Sequence, residues 1–194
     1  MTHAAKTLLA ILIVSAFGFG QTKWKIEKSH SNINFSVAHL IVSEVTGKFK
    51  EFSGTVESAK EDFSDMKLEI AIKASSIDTD EPKRDGHLKG QDFFNAAIDS
   101  IVTFKSTKIE KSSEGKYKVT GDLTMRGVTK QVVLDAQLKG KTKNPWGQTV
   151  AIFKSSTTID RTQWGLKWNK SLDSGGLLVG ENVDMTFNIE LVQG

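Results

Sequence analysis

From Trp24 onward the chain alternates apolar and polar residues with a period of two, the signature of strands with one buried face. Residues 24–28 form a short first segment of this kind. In residues 31–40, Ile33, Phe35, Val37 and His39 share one face, and Asn32, Asn34, Ser36 and Ala38 the other. Leu40 to Val45 is more continuously apolar and reads as a short helix or a bend. Residues 48–57 resume as a strand, with Phe49 and Phe52 out of simple register, which a bulge near Glu51 reconciles. Leu68, Ile70, Ile72 and Ala74 then align, followed further on by Val102, Phe104 and Ser106. Tyr117, Val119, Gly121, Leu123 and Met125 line one side of the next segment, and Val132, Leu134, Ala136 and Leu138 one side of the following one. Lys139 to Gly147 reads as a loop, Thr149 to Ile159 as a long strand, and Asp160 to Gly180 as a Gly-rich loop with Trp164 and Trp168. Val183, Met185, Phe187, Ile189 and Leu191 form the last alternating set. Turns are predicted at Ser112–Gly115 and Arg126-Gly127.

The alternation fails in one place, Ser75 to Phe104. Pro82, Gly86 and Gly90 punctuate this stretch, charges crowd Asp78 to Asp85, and Phe93 and Phe94 stand side by side. Two adjacent phenylalanines favour a cover folded over something rather than a solvated loop. Asp92 before them reads as the N-cap of a short helix, and Arg84, Asp85 and Asp78 as a set that pins the segment.

About eight long antiparallel strands with short turns, and neither βαβ units nor repeats, predict an all-β fold. The expected form is an extended eight-stranded antiparallel barrel with an apolar interior and a short helical insertion between two strands. One domain, residues 21–194, accounts for the length. Residues 1–20 read as a cleaved secretory signal peptide: Lys6 precedes an apolar run from Leu8 to Phe19, and small residues surround a cleavage point after Gly20. The run is shorter than the ~20 residues of a membrane span. No integral membrane span is expected after cleavage, and no cysteine follows to carry a lipid. Removing the leader removes only Lys6, which takes the formal charge from +3 to +2. The remaining cations are scattered along strands, so no nucleic-acid footprint is expected. The absence of cysteine in an exported chain points to a bacterial periplasmic or secreted protein held together by its core.

The chemistry-bearing residues are sparse. His30, His39 and His87 lie on three elements without metal-ligand spacing, so no metal is expected. His39 ends an otherwise apolar face. It reads either as a rim histidine bonded to backbone or as a polar contact to a ligand head group. His87 reads as a packing residue at a helix end. Paired acids such as Glu61-Asp62 and Asp78/Asp80 fall in loops, and no nucleophile elbow is present, so no catalytic residue is nominated. Trp146, Trp164 and Trp168 either plug a barrel end or touch a ligand.

Several motifs, taken in order, resemble the YceI-like family of periplasmic proteins over residues 24–192. They are His30-Ser31, Ile33-Asn34-Phe35-Ser36-Val37, His39-Leu40, Gly47-Lys48-Phe49 and Phe52-Ser53-Gly54. Ser76-Ile77-Asp78-Thr79, Arg84-Asp85-Gly86-His87-Leu88, Asp92-Phe93-Phe94 and Thr103-Phe104-Lys105-Ser106 follow. Gly121 to Thr129 and Arg161-Thr162-Gln163-Trp164-Gly165 complete the set, while Glu27-Lys28-Ser29 departs from the usual acidic-proline lead-in. The resemblance implies a lipocalin-like barrel that binds a polyisoprenoid or a similar fatty amphiphile, needs no cofactor, forms a homodimer and has no established catalytic residue.

The aligned inner faces and the cover nominate a ligand-contacting set: Ile33, Phe35, Val37, His39, Phe49, Ile70, Ile72, Phe94, Phe104, Leu123, Met125, Leu134, Phe153, Trp164, Met185 and Phe187. The reading that follows is non-catalytic binding, storage or transport of a long isoprenoid lipid or similar amphiphile. The competing readings are an enzyme acting on an isoprenoid or quinone lipid, and a stress-related structural barrel filled by its own side chains.

Overall fold

The computed structural model describes residues 20–173 and 175–194; the expected leader, apart from Gly20, lies outside the described residues. Ten strand segments occur: β1 (Thr22–His39), β2 (Ser43–Phe49), β3 (Phe52–Ser58), β4 (Lys67–Lys73), β5 (Ile77–Asp78), β6 (Ile101–Ser113), β7 (Lys116–Met125), β8 (Val128–Lys143), β9 (Thr149–Asp160) and β10 (Val179–Gln193). They amount to eight strands, because two are broken. β2 and β3 both run antiparallel to β1, along Ile33–His39 and Thr22–Lys25 respectively, and only Lys50 and Glu51 separate them. β4 and β5 pair with β3 and β2 and are interrupted by a 3-10 turn at Ala74–Ser76. Each strand then pairs with the next, and β10 returns to β1 from Trp24↔Gln193 to His39↔Val179. The result is a closed antiparallel barrel, as the alternation predicts. Closure pairs the long edges that an open sheet would leave free.

Several boundaries differ from the sequence reading. The first two predicted strands are one strand of 18 residues. Its pairing with β10 is irregular between Glu27 and Asn32, where the Glu27 carboxylate accepts from the Ser29 hydroxyl and from the Ser29 and His30 N–H groups. Leu40 to Val45 is neither helix nor simple bend: three residues turn the hairpin and β2 begins at Ser43. β8 runs on through Lys143, so the predicted loop shrinks to Asn144–Gln148. The Asp160–Gly180 loop contains a 3-10 turn, Arg161–Trp164, and an isolated bridge from Ser171 to Leu177.

The insertion carries a helix that ends just past His87, as the helix-end reading of that residue implies, and none that starts at Asp92. α1 spans Pro82–Lys89 and is capped by Glu81, whose carboxylate accepts from the Lys83 and Arg84 N–H groups at 3.1 and 2.5 Å. Pro82 at the first position loses nothing, since its N–H would be unpaired there. Asp92 caps no helix; its carboxylate lies 3.0 Å from His87 Nε2. Arg84 and Asp85 do pin the segment, but through Thr79 rather than each other. The Thr79 hydroxyl and N–H donate to Asp85, while Arg84 donates to the Thr79 hydroxyl and carbonyl. Asp78 pairs instead with Lys50, at 3.4 Å. The ends of the insertion meet where the Ala74 N–H donates to the Ser100 carbonyl at 2.9 Å.

The interior is divided by height. At the end bearing the β3–β4, β6–β7 and β8–β9 turns, Trp24, Val56, Phe63, Met66, Tyr117, Val119, Phe153 and Leu191 are buried in a solid core. The insertion, the β1–β2 turn and the Arg161 loop gather at the other end, where the interior is hollow.

Candidate functional site: a one-ended apolar cavity

The hollow half encloses a cavity of about 440 Å³, within the ~300–1,000 Å³ usual for small-molecule sites. The period-two faces build its wall. Phe35, Val37 and His39 come from β1; Val45 and Phe49 from β2; Ile70 and Ile72 from β4; and Val102 and Phe104 from β6. β7 adds Leu123 and Met125, β8 adds Val132 and Leu134, β9 adds Thr157 and Ile159, and β10 adds Val183, Met185 and Phe187. The insertion covers it as predicted: Phe93 is buried, Phe94 half-buried, and both face the cavity with Leu88. Phe94 stands edge-on to Phe49, ring centroids 5.7 Å apart, and Phe49 packs in turn on Phe35 at 5.8 Å.

Thirteen of the sixteen nominated residues lie on this wall; Ile33, Phe153 and Trp164 do not. Ile33 is fully buried, paired across from Phe49 and Phe187, and belongs beneath the cavity floor. Phe153 lies in the solid half, against Phe63 at 5.2 Å and Tyr117 at 6.4 Å. Trp164 is buried with its indole N–H donating to the Leu123 carbonyl at 3.1 Å, so it packs behind the wall rather than on it. Trp168 lies on the wall, one of the two places open to it from the sequence, while Trp146 is exposed at the far end.

The ionisable wall residues are His39, Lys83, Arg84, His87 and Arg161, with no carboxylate among them. All come from elements at the open end. Lys83 and Arg84 were not nominated; they sit on a helix with no apolar stripe, so only the cover formed by the insertion as a whole pointed to them. Arg161 carries more structural weight. Its guanidinium is buried and donates to the carbonyls of Gly180 (2.8 Å), Leu166, Trp168 (3.1 Å) and Val179 (3.3 Å). Burial pulls its pKa below the ordinary value. Four carbonyls compensate that burial and tie both ends of the 161–180 loop to one side chain. The Phe93 ring lies 5.9 Å from its charge centre.

His87 is held by two rings and by the Asp92 carboxylate, 3.0 Å from its Nε2. It stands edge-on to Phe93 and Trp168, centroids at 5.1 and 4.8 Å. The Ser43 hydroxyl lies 3.5 Å from His39 Nδ1, but it donates to the His39 carbonyl at 2.7 Å, so no activated nucleophile results. Outside the cavity, Glu27, His30 and Glu190 cluster on the barrel surface. The Glu27 carboxylate there is occupied by Ser29 and the His30 N–H, which hold its pKa below the usual carboxylate value. No helix among the described residues is long and apolar enough to cross a membrane.

The fold recurs in known proteins. A solved Campylobacter jejuni YceI protein is 31% identical, covers 81% of this chain and 90% of its own, and superposes with a TM-score of 0.69. A polyisoprenoid binding domain from Saccharophagus degradans, 14% identical, shares the fold over 88% of this chain and 98% of its own with a TM-score of 0.67. A UPF0312 protein of Staphylococcus epidermidis is 36% identical over 170 residues, 87% of this chain and 96% of that protein. Residues 24–191 match the YceI-like domain, and the chain belongs to the YceI-like family.

Proposed function

We propose that the protein is a non-catalytic carrier or store for a long isoprenoid lipid or similar amphiphile, exported to the periplasm. The observation that carries this reading is the cavity itself: a 440 Å³ hollow walled by aligned apolar side chains from all eight barrel strands and the cover. Apolar burial is worth roughly 25 cal/mol per Å², so a flexible hydrocarbon gains affinity here without a charged anchor. The basic residues at the open end suit a head group with acceptor or negatively charged oxygens. The wall offers no carboxylate pair and no nucleophile–base couple, which supports binding over turnover. The polyisoprenoid named for the Saccharophagus neighbour supports the chemical class. The dimer implied by the family resemblance is part of the same proposal.

Lipid extraction and mass spectrometry on protein purified without detergent test the reading. The expected result is one long-chain amphiphile associated with the folded protein, displaced stoichiometrically by an apolar fluorophore. Protein that carries no lipid and takes up no fluorophore overturns it.

A further inference from the structure

Tight hairpin turns that need positive φ are normally built from glycine, asparagine or aspartate. The β1–β2 hairpin is turned by Leu40, Ile41 and Val42. Leu40 and Ile41 have φ of 55° and 68°, a left-handed conformation that is unfavourable for large side chains and especially for a β-branched one. The three side chains are also 43%, 64% and 90% exposed. Strain and apolar exposure therefore coincide at one spot, and neither serves the fold, since an Asn-Gly tip turns a hairpin without either cost.

The tip is continuous with the cavity rim. The Leu40 N–H donates to the Leu178 carbonyl at 2.9 Å, and the Ile41 side chain lies over Gly176 beside the exposed Leu177. Leu178, Val179, His39 and Val45, which flank the tip in sequence or in space, all face the cavity. Among the described residues, most large apolar side chains left in solvent lie at this end: the three tip residues, Leu177, Ile98 and Ile101. Val133 is midway along β8, and Trp146 is at the closed end. The ionisable groups on the cavity wall at the same end are all basic, and Lys83 and Arg84 among them are exposed.

We propose that the open end docks on an anionic lipid bilayer, with the Leu40–Val42 tip immersed among the acyl chains and Lys83 and Arg84 facing the head groups. This rests on the lipid-binding reading and gives it a route: the ligand passes between cavity and bilayer along an apolar rim without crossing water. Three apolar side chains and a few cations hold a protein at a membrane weakly and reversibly, as a carrier that must leave again requires.

Flotation with phosphatidylglycerol/phosphatidylethanolamine vesicles tests the proposal, with phosphatidylcholine vesicles as the comparison. Wild-type protein is expected to float with the anionic vesicles, less so at high salt, and poorly with phosphatidylcholine. The variant Ile41→Asp/Val42→Asp loses binding about tenfold or more. The variant Leu40→Asn/Ile41→Gly loses it comparably while melting no lower than wild type, because it relieves the strained turn. Ligand occupancy measured on the same preparations separates the two readings: occupancy retained with no vesicle binding overturns docking alone. Equal binding to both vesicle types overturns the anionic assignment. Unchanged binding of both variants, or a dimer that the tip variants dissociate in the absence of vesicle binding, overturns the membrane role of the tip.

Discussion

The ring of Phe63 stands perpendicular to that of Phe153, centroids 5.2 Å apart, and together they close one end of the barrel. Phe63 comes from the β3–β4 turn with a φ of 59° and is almost fully buried. Trp24 tilts against it, also at 5.2 Å. The turn is locked from within, where the buried Tyr117 hydroxyl donates to the Asp62 carbonyl, and from outside, where Lys111 pairs with the Asp62 carboxylate at 2.6 Å. This plug fills the half of the barrel beneath the cavity. Phe63→Ala is expected to cost about 3–5 kcal/mol, the usual penalty for removing a core aromatic. Urea titration of the two proteins measures it, and a loss below about 1 kcal/mol refutes the plug.

Two glycines make room for aromatic rings, with different consequences. A Cβ on Gly121 would lie 2.7 Å from Phe104 Cε2 and 2.5 Å from the Lys105 carbonyl oxygen, which cannot swing away. A Cβ on Gly47 would meet Phe35 Cε1 at 2.7 Å and Thr79 Cγ2 at 2.8 Å, and Phe35 borders empty space. Gly121→Ala should therefore cost about 1–3 kcal/mol through overpacking. Gly47→Ala should cost less and instead drive the Phe35 ring into the cavity, lowering ligand occupancy. Paired thermal melts and lipid extraction check the contrast; equal stability losses with unchanged occupancy contradict it.

Phe94 is the cover residue whose loss should be felt by the ligand before the fold. It is half-buried on the wall, braced edge-on by Phe49. Phe94→Asp places a carboxylate against hydrocarbon, and occupancy is expected to fall roughly tenfold or more. Phe94→Leu, which keeps the surface apolar, should retain most of it. Circular dichroism on the same samples confirms folding. A folded Asp variant with full occupancy would make the insertion a surface ornament.

Period-two alternation made the barrel legible, and with it which side of each strand faces inward. It carries no information about height along the barrel axis. Phe153 and Phe35 look alike in sequence, yet one sits in the solid half and the other beside the hollow. Trp164 and Trp168 are four residues apart in one loop, and only the 3-10 turn at Arg161–Trp164 sends the first behind the wall. The helix end at His87 was legible but its start was not, because Asp92 is by type a better cap than Glu81, while α1 offers Leu88 alone as an apolar anchor beyond Pro82. Arg161 gave no signal of burial, since the carbonyls that compensate it come from residues up to 19 positions away. The cover was legible from its phenylalanines because exposing both would have been costly.

Asp65 sets the direction of the protein's response to acid. The Ser58 hydroxyl donates to its carboxylate at 2.5 Å, and the Ala59 and Lys60 N–H groups at 3.0 and 3.2 Å. The Ser58 bond first, and these backbone donors with it, hold the pKa below the ordinary 3.8 against the opposing effect of burial. A carboxyl with a depressed folded pKa contributes stability that is complete above its unfolded pKa, near 4, and is lost as pH falls through the folded pKa. Asp160 and Asp62 shift the same way, through the Thr162 hydroxyl and Lys111. Asp65→Asn should therefore be less stable than wild type by about 1–2 kcal/mol at neutral pH, a range discounted for partial exposure. The gap should begin to narrow below about 4, as the unfolded carboxyl protonates, and close only below the depressed folded pKa, where the wild-type carboxyl is itself protonated and bonds no better than the amide. Urea midpoints for both proteins across that range read the convergence, and a gap that stays constant with pH would show that the carboxylate's charge is not what Ser58 recognises.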